Sequence, residues 1–443
     1  MNLPIAIAAL DLVLVTVLTA RRLDVRLVLL VGALPMFVVA GGLSVMLEKI
    51  VAEMANVGTV VPICSALGFA HVLRVTECDQ HLVRLLLRPV RRVRWLLVPG
   101  GIAAGYVVNT TIVSQTGVAA VLGPILIPLL RAGNVAPVTA GAILLMGSSM
   151  GGELFNPGAV EMRKLAELTS LSGTEVVARS TPYNLLACGA ALLAFWLRTA
   201  LRGRSDRVGL PAGEDGTEVE SEAETPGGSI GFTIRPVKAL VPLLPLLLLF
   251  TDPLLGPYSP LRSIQGPPKI LAAMLIGIAA AALTSPRVSG QLGTAFFEGA
   301  GYAYTHVISL IVVASTYAEG IRLSGLINLI VRALVGWPRL ALLVSSVTAW
   351  ALAAVSGTGI APAVSIMEFF VPVASTMDLD PVRLGAVVAI GSHFGRTMSA
   401  AAAVVAMSAR LAFAPPSELI REVALPLGVG GFVLIASTVL NMI

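Results

Sequence analysis

Two glycine-rich segments carry the ionisable residues that could do chemistry within an otherwise apolar chain. One, Gly391-Ser-His-Phe-Gly-Arg-Thr-Met-Ser399, sets a fixed positive charge, Arg396, beside Ser392, His393 and Thr397. A planar guanidinium suits two-pronged binding of a carboxylate, and at membrane depth it costs about 2.5–3.5 kcal/mol on insertion scales. The other, Gly147-Ser-Ser-Met-Gly-Gly-Glu-Leu-Phe-Asn-Pro-Gly158, carries Glu153 with Ser148, Ser149 and Asn156. Glu153 and His393 are protonatable and read as coupling groups. The alternative is a structural pair of Arg396 with Glu153, and a hydrogen-bonded structural histidine. Two polar tips inside apolar runs, Ser114-Gln115-Thr116-Gly117 and Ser356-Gly357-Thr358-Gly359, add hydroxyls and backbone N–H groups that can hold carboxylate oxygens or merely cap helices. Together these residues suit binding of a dianion and movement of a proton.

Catalysis is a poorer fit. Ser149, His393 and Glu153 are the only group that could supply a nucleophile and a base. No Walker-type phosphate loop occurs, Cys64, Cys78 and Cys188 form no C-x-x-C pair, and His71, His81 and His306 have no ligand spacing. We therefore expect no enzyme activity, no metal and no cofactor.

The elements that must position these residues are set by composition. Of 443 residues, 56% are hydrophobic and 12% charged, with mean hydropathy +0.89, against about 25% charged in soluble domains. The chain is an all-α polytopic membrane protein, and its net charge of +5 orients it in lipid rather than binding nucleic acid. Spans are expected near 3–20, which reads as retained rather than as a cleaved signal, 27–46, 58–75 and 183–201. Between Cys78 and Arg94, Leu82, Leu85, Leu86 and Val90 alternate with arginines, as in a helix lying in the interface. Asp11, Glu48, Glu53, Glu298, Glu319 and Glu368 lie in or beside apolar segments, mostly near enough to an end to reach water.

The chain repeats itself. Ser356-Gly-Thr-Gly-Ile-Ala echoes Ser114-Gln-Thr-Gly-Val-Ala at 242 positions, and Pro381, Val382, Gly385, Gly391, Ser392 and Gly395 echo Pro137, Val138, Gly141, Gly147, Ser148 and Gly151 at 244. Residues 1–201 form a first repeat, with a re-entrant hairpin at about 96–132 and a broken helix at about 138–160. An acidic hydrophilic linker spans 202–236. Residues 237–443 form the second repeat, with a hairpin at about 339–377 and a broken helix at about 381–413, its break expected at Gly391 to Ser399. Five crossings plus one hairpin per half make the topology inverted, with the breaks at the midplane. Arginines near positions 21–26, 84–94 and 198–207 share one side, whereas Arg322, Arg332 and Arg339 fit that rule less well. Inverted repeats with interrupted helices are the pattern of alternating-access transporters.

Four stretches, Val61-Pro-Ile-Cys-Ser-Ala-Leu-Gly-Phe-Ala, Cys78-Asp-Gln-His-Leu-Val, Gly147 to Ala159 and Ser392-His-Phe-Gly-Arg-Thr-Met-Ser, resemble the DcuC family of anaerobic C4-dicarboxylate carriers. The likeness runs over about 55–200 and 290–440. It implies a bacterial inner-membrane homodimer that moves succinate, fumarate or malate by efflux, exchange or proton-linked transport, in elevator fashion. Dicarboxylate carriers of the wider ion transporter superfamily read Ser-Asn-Thr at both tips, where the Asn helps bind substrate and sodium. Gln115 and Gly357 depart there, which favours protons or exchange over sodium. The alternatives are a carrier for another organic anion, an aminobenzoyl-glutamate or a short-chain carboxylate, or an anion channel.

Overall fold

The computed structural model describes residues 3–21, 23–40, 42–90, 96–205, 233–255, 258–326, 329, 332–333 and 336–440, and among these it is helical without strands. The first half holds α1 Leu3–Ala20, α2 Val25–Ala40, α3 Leu43–Met54, α4 Val57–Val75, α5 Cys78–Val90, α6 Leu97–Thr111, α7 Gln115–Ala132, α8 Pro137–Ser149, a 3₁₀ turn Gly152–Phe155, α9 Val160–Thr169 and α10 Gly173–Ser205. The second holds α11 Pro236–Leu240, α12 Leu244–Leu255, α13 Pro267–Thr284, α14 Leu292–Ala303, a π-helical turn Tyr304–Ile308, α15 Ser309–Ser324, α16 Pro338–Ser356, α17 Ile360–Phe370, α18 Pro381–Thr397, α19 Ala403–Ala412 and α20 Pro416–Val439. Among the described residues, nine helical segments are long and apolar enough to cross a membrane. Helix starts follow local chemistry. Pro137 and Pro381 sit in the first helical turn, where the missing N–H costs nothing, and Asp380 accepts from the N–H groups of Val382 and Arg383.

The expected span at 27–46 is instead two helices, α2 and α3, divided at Gly42. Of the acidic linker, residues 206–232 lie outside the described residues, while 202–205 end α10. The buried face of α5, with Leu82, Val83 and Leu87, packs on α6, α7 and α11.

Apolar residues gather into three cores. The first joins both helix–tip–helix units, α8, α9, α18, α19, α10 and α20 around Leu126, Ile143, Phe195, Val387 and Phe394. A second joins α1 to α4 and α15 around Phe37, Ile63 and Ile311. The third joins α4 with α12, α13 and α14 around Phe69 and Met274. Lipid supplies no hydrophobic drive between helices, so close approach through small residues matters. Gly105 of α6 meets the backbone of Gly147 of α8, and Gly395 of α18 meets the carbonyl of Trp350 of α16.

Charge also bridges the cores. Lys164 of α9 is buried and pairs with Glu368 of α17, with Glu53 of α3 at 3.7 Å and with Glu167 at 3.5 Å. Glu53 therefore does not reach water as the sequence suggests: its helix turns it inward, where Lys49 also holds it at 2.7 Å. Glu368 is likewise enclosed and accepts a hydrogen bond from Ser315. Lys164→Met should strand these carboxylates and cost about 3–5 kcal/mol. A thermal melt in detergent reads the loss, and Lys164→Met with Glu368→Gln should recover part of it.

Candidate functional site

The first break begins where α8 ends at Ser149. Gly151 has φ +138°, which an L side chain adopts only with strain, and the chain then tightens into the 3₁₀ turn that carries Glu153. The freed carbonyls find partners: Asn184 Nδ2 donates to Gly151 O at 2.9 Å and Cys188 Sγ donates to Met150 O at 3.3 Å. From the neighbouring helix–tip–helix unit, Asn109 Oδ1 accepts from the Glu153 N–H at 3.1 Å. Asn156 donates to Thr110 O at 3.0 Å and accepts from Gly158 N at 2.8 Å. Asn156 thus braces the first tip from behind.

The second segment departs from its sequence reading. Residues 391–397 do not unwind: α18 stays helical to Thr397 and the interruption falls at 398–402. The glycines serve packing instead. A Cβ at Gly391 would stand 2.9 Å from Ser346 O, and one at Gly395 2.1 Å from Trp350 O. His393 and Arg396, three apart, consequently share one helical face in the last turns of α18, where carbonyl dipoles favour a cation.

That face meets the first break. Arg396 Nη2 donates to Glu153 Oε1 at 3.2 Å and to Ser149 O at 3.1 Å, and it lies 3.0 Å from His393 Nδ1. His393, fully buried, has Nδ1 3.3 Å from Glu153 Oε1 and Nε2 3.3 Å from Glu161 Oε1. Gln115 at the first tip donates its amide to both Glu153 oxygens. Thr397 Oγ1 lies 2.8 Å from Ser149 Oγ. Arg396 Nε is buried without a protein partner.

The tips converge beside this constellation. Ser114 caps α7 by accepting from Gly117 N at 3.2 Å, and Gly117 comes close to Arg74 of α4. At the second tip Gly357 takes φ +74°, Ser356 Oγ accepts from Thr358 N at 3.4 Å, and Ser392 Oγ donates to Gly359 O at 2.6 Å. A Cβ at Gly359 would stand 3.1 Å from Arg396 Nη1, so glycine lets this tip close over the guanidinium. A cavity of about 200 Å³ opens between the tips, lined by Ser114, Gln115, Thr116, Glu153, Glu161 and Thr358, with Tyr302 and His306 facing from the α14 side.

The other residues singled out from sequence stand behind that lining. Ser149, His393, Arg396 and Thr397 form a second layer, and Asn156, Ser392, Gly117, Gly357 and Gly359 shape the tips. Ser148 spends its hydroxyl on Leu144 O one turn back. Ser356 borders a different, apolar cavity of about 330 Å³ between α1, α2, α15 and the second unit, near Leu29, Tyr317 and Phe370.

Sequence reading missed Glu161, Lys164 and the contribution of His306. Glu161 opens the polar run Glu161-Met-Arg-Lys164, which resembles a solvated helix start. Its only signal is its place in the first turn after the break. Glu153, Glu161 and His393 bring carboxylate and imidazole atoms within 4.8 Å of one another. The Arg396 guanidinium already sets a positive charge on Glu153, so a second cation there meets repulsion.

The family model described as C4-dicarboxylate anaerobic carrier, DcuC, matches residues 38–443. The anaerobic C4-dicarboxylate transporter DcuC of Escherichia coli strain K12 is 23% identical over 379 residues, 84% of this chain and 78% of its own. A Haemophilus influenzae transporter is 34% identical over 123 residues, 28% of this chain and 85% of its own. Among solved structures, MtrF of Neisseria gonorrhoeae has a TM-score of 0.63 at 12% identity, covering 98% of this chain and 94% of that one. The YdaH transporter of Alcanivorax borkumensis has a TM-score of 0.57 at 15% identity, covering 99% and 98%. These two likenesses concern the fold.

Proposed function

The chain belongs to the DcuC family of C4-dicarboxylate anaerobic carriers, and from that premise we propose that this multi-pass membrane transporter moves succinate, fumarate or malate across a bacterial inner membrane by exchange or proton-coupled transport. The observation that carries the reading is the meeting of two polar tips from opposite halves at one cavity, backed by Arg396 and Glu153. One substrate carboxylate draws forward the guanidinium of Arg396, which stands directly behind the lining with its Nε free of protein partners. The other is held by the hydroxyls of Ser114, Thr116 and Thr358 and by the N-terminal N–H groups of α7. Gln115, at the position where sodium-coupled relatives place an asparagine, spends its amide on Glu153. Sodium is not required in this reading.

We read two inverted repeats, and the helix packing is paired between the halves as a repeat requires. α2 lies on α15 as α13 lies on α4, and α6 lies on α8 as α16 lies on α18. The core shared by tips, interrupted helices, α10 and α20 is the body that carries substrate, and the α1–α4 and α12–α15 cores are the body it slides against. The helix–tip–helix units are re-entrant hairpins in this arrangement, and the protein works as a homodimer.

Uptake of labelled succinate into proteoliposomes preloaded with succinate, fumarate or nothing, with and without sodium at two external pH values, tests the reading. Saturable uptake, accelerated by internal dicarboxylate and indifferent to sodium, is expected. No succinate uptake under any condition would overturn it. Glu153→Gln should keep exchange and lose the response to a pH gradient, and an unchanged response would return Glu153 to a structural role.

A further inference from the structure

We propose that Glu161 and His393 form a proton site that substrate opens by drawing Arg396 away from His393 Nδ1. This rests on the carboxylate-carrier reading above and adds to it the group that binds the proton and the event that times it.

The argument starts from donors and acceptors. Arginine is always a donor, so the 3.0 Å contact from Arg396 Nη2 to His393 Nδ1 requires Nδ1 to accept. The ring proton then resides on Nε2, which donates to Glu161 Oε1 at 3.3 Å. In this state the imidazole is neutral, with both nitrogens engaged. Arg396 Nη2 serves three acceptors at once, Glu153 Oε1, Ser149 O and His393 Nδ1. A substrate carboxylate that takes the guanidinium in two-pronged fashion competes with all three.

Once Nδ1 loses that donor, its lone pair faces Glu153 Oε1 at 3.3 Å. One proton from bulk solvent, carried in as hydronium through the cavity, binds Nδ1: the N–H bond forms as a hydronium O–H bond breaks, and neutral water is left. The resulting imidazolium donates to Glu153 from Nδ1 and to Glu161 from Nε2, flanked by a carboxylate on each side. The charged groups facing the ring are Glu153 from the 3₁₀ turn, Glu161 from α9 and Arg396 from its own helix. Lys164 of α9 and Glu368 of α17, on helices also packed against α18, are paired with each other. Glu153 and Glu161 line the cavity and connect the ring to water, which His393 itself does not touch. Substrate binding and proton binding are therefore linked, and each favours the other by the same factor.

Succinate titration calorimetry on the full chain in detergent, repeated in buffers of different ionisation enthalpy, counts protons taken up per succinate bound. The wild type should take up about one proton near neutral pH. Glu161→Gln removes one flanking charge and should reduce that count about threefold, with succinate affinity read from the same titration. Should Glu161→Gln not fold, His393→Gln carries the same test and should take the count to zero. Wild-type succinate binding without proton uptake, or a wild-type count in either variant, overturns this proposal alone. A wild type that neither binds nor exchanges succinate overturns the carrier reading and this proposal with it.

Discussion

Arg396→Ala is expected to weaken succinate binding by roughly a hundredfold, the equivalent of about 3 kcal/mol, within the 2–5 kcal/mol found when one partner of a buried charge pair is truncated. Arg396 is the cation that the second tip closes over, and its Nε is a buried donor without a protein partner. Removing it also leaves Glu153 with Gln115 and His393 as neighbours, so folding must be monitored alongside. Arg396→Lys keeps the charge but not the planar fork, and should fold while losing at least about tenfold in affinity. Equilibrium binding of labelled succinate to purified protein, with size-exclusion profiles for both variants, gives the answer. Wild-type affinity in the alanine variant would remove Arg396 from the site. Wild-type affinity in the lysine variant alone would mean that a point charge suffices.

Gly395→Ala should be the most damaging single methyl in the molecule's centre. Its Cβ would stand 2.1 Å from Trp350 O and 2.8 Å from Trp350 C, both backbone atoms with no rotamer to retreat into. α18 must then move off α16, at a cost of about 3 kcal/mol, and His393 and Arg396 move with it. The apparent melting midpoint in detergent should fall by about 3 °C, with transport lost beyond what the stability change explains. Gly428→Ala in α20 is the control, because nothing lies within 4 Å of its Cβ position. That variant should be neutral or slightly stabilised, since alanine is the better helix former. A midpoint for Gly395→Ala equal to that of Gly428→Ala would contradict the close packing of α16 and α18.

The helices were legible because their causes are local. Apolar runs of membrane length, prolines at helix starts and the polar tips at Ser114 and Ser356 are all read within a few residues of themselves. The interruption after Ser149 was legible for the same reason: Gly151-Gly152 and Asn156-Pro157 weaken a helix wherever they occur. The same logic misread Gly391 and Gly395, whose purpose is the approach of α16. A glycine that unwinds a helix and a glycine that admits a neighbour look alike until the neighbour is known. Glu53 and Glu368 were placed near water for a related reason, since their distance from a helix end says nothing of which face is covered.

By itself, then, the sequence determined a polytopic helical membrane protein and singled out two polar tips and Arg396, Glu153 and His393 as candidates for its chemistry, because length, apolarity and backbone preference act over short stretches of chain. Only the tertiary structure decided that Glu161 joins them and that Lys164 ties the cores together. His393 and Glu161 stand 232 positions apart, and Arg396 and Glu153 stand 243 apart. Charges in a low-dielectric interior are governed by whichever partner the packing brings within about 4 Å, and that is fixed by how the helices face one another rather than by the order of residues along the chain.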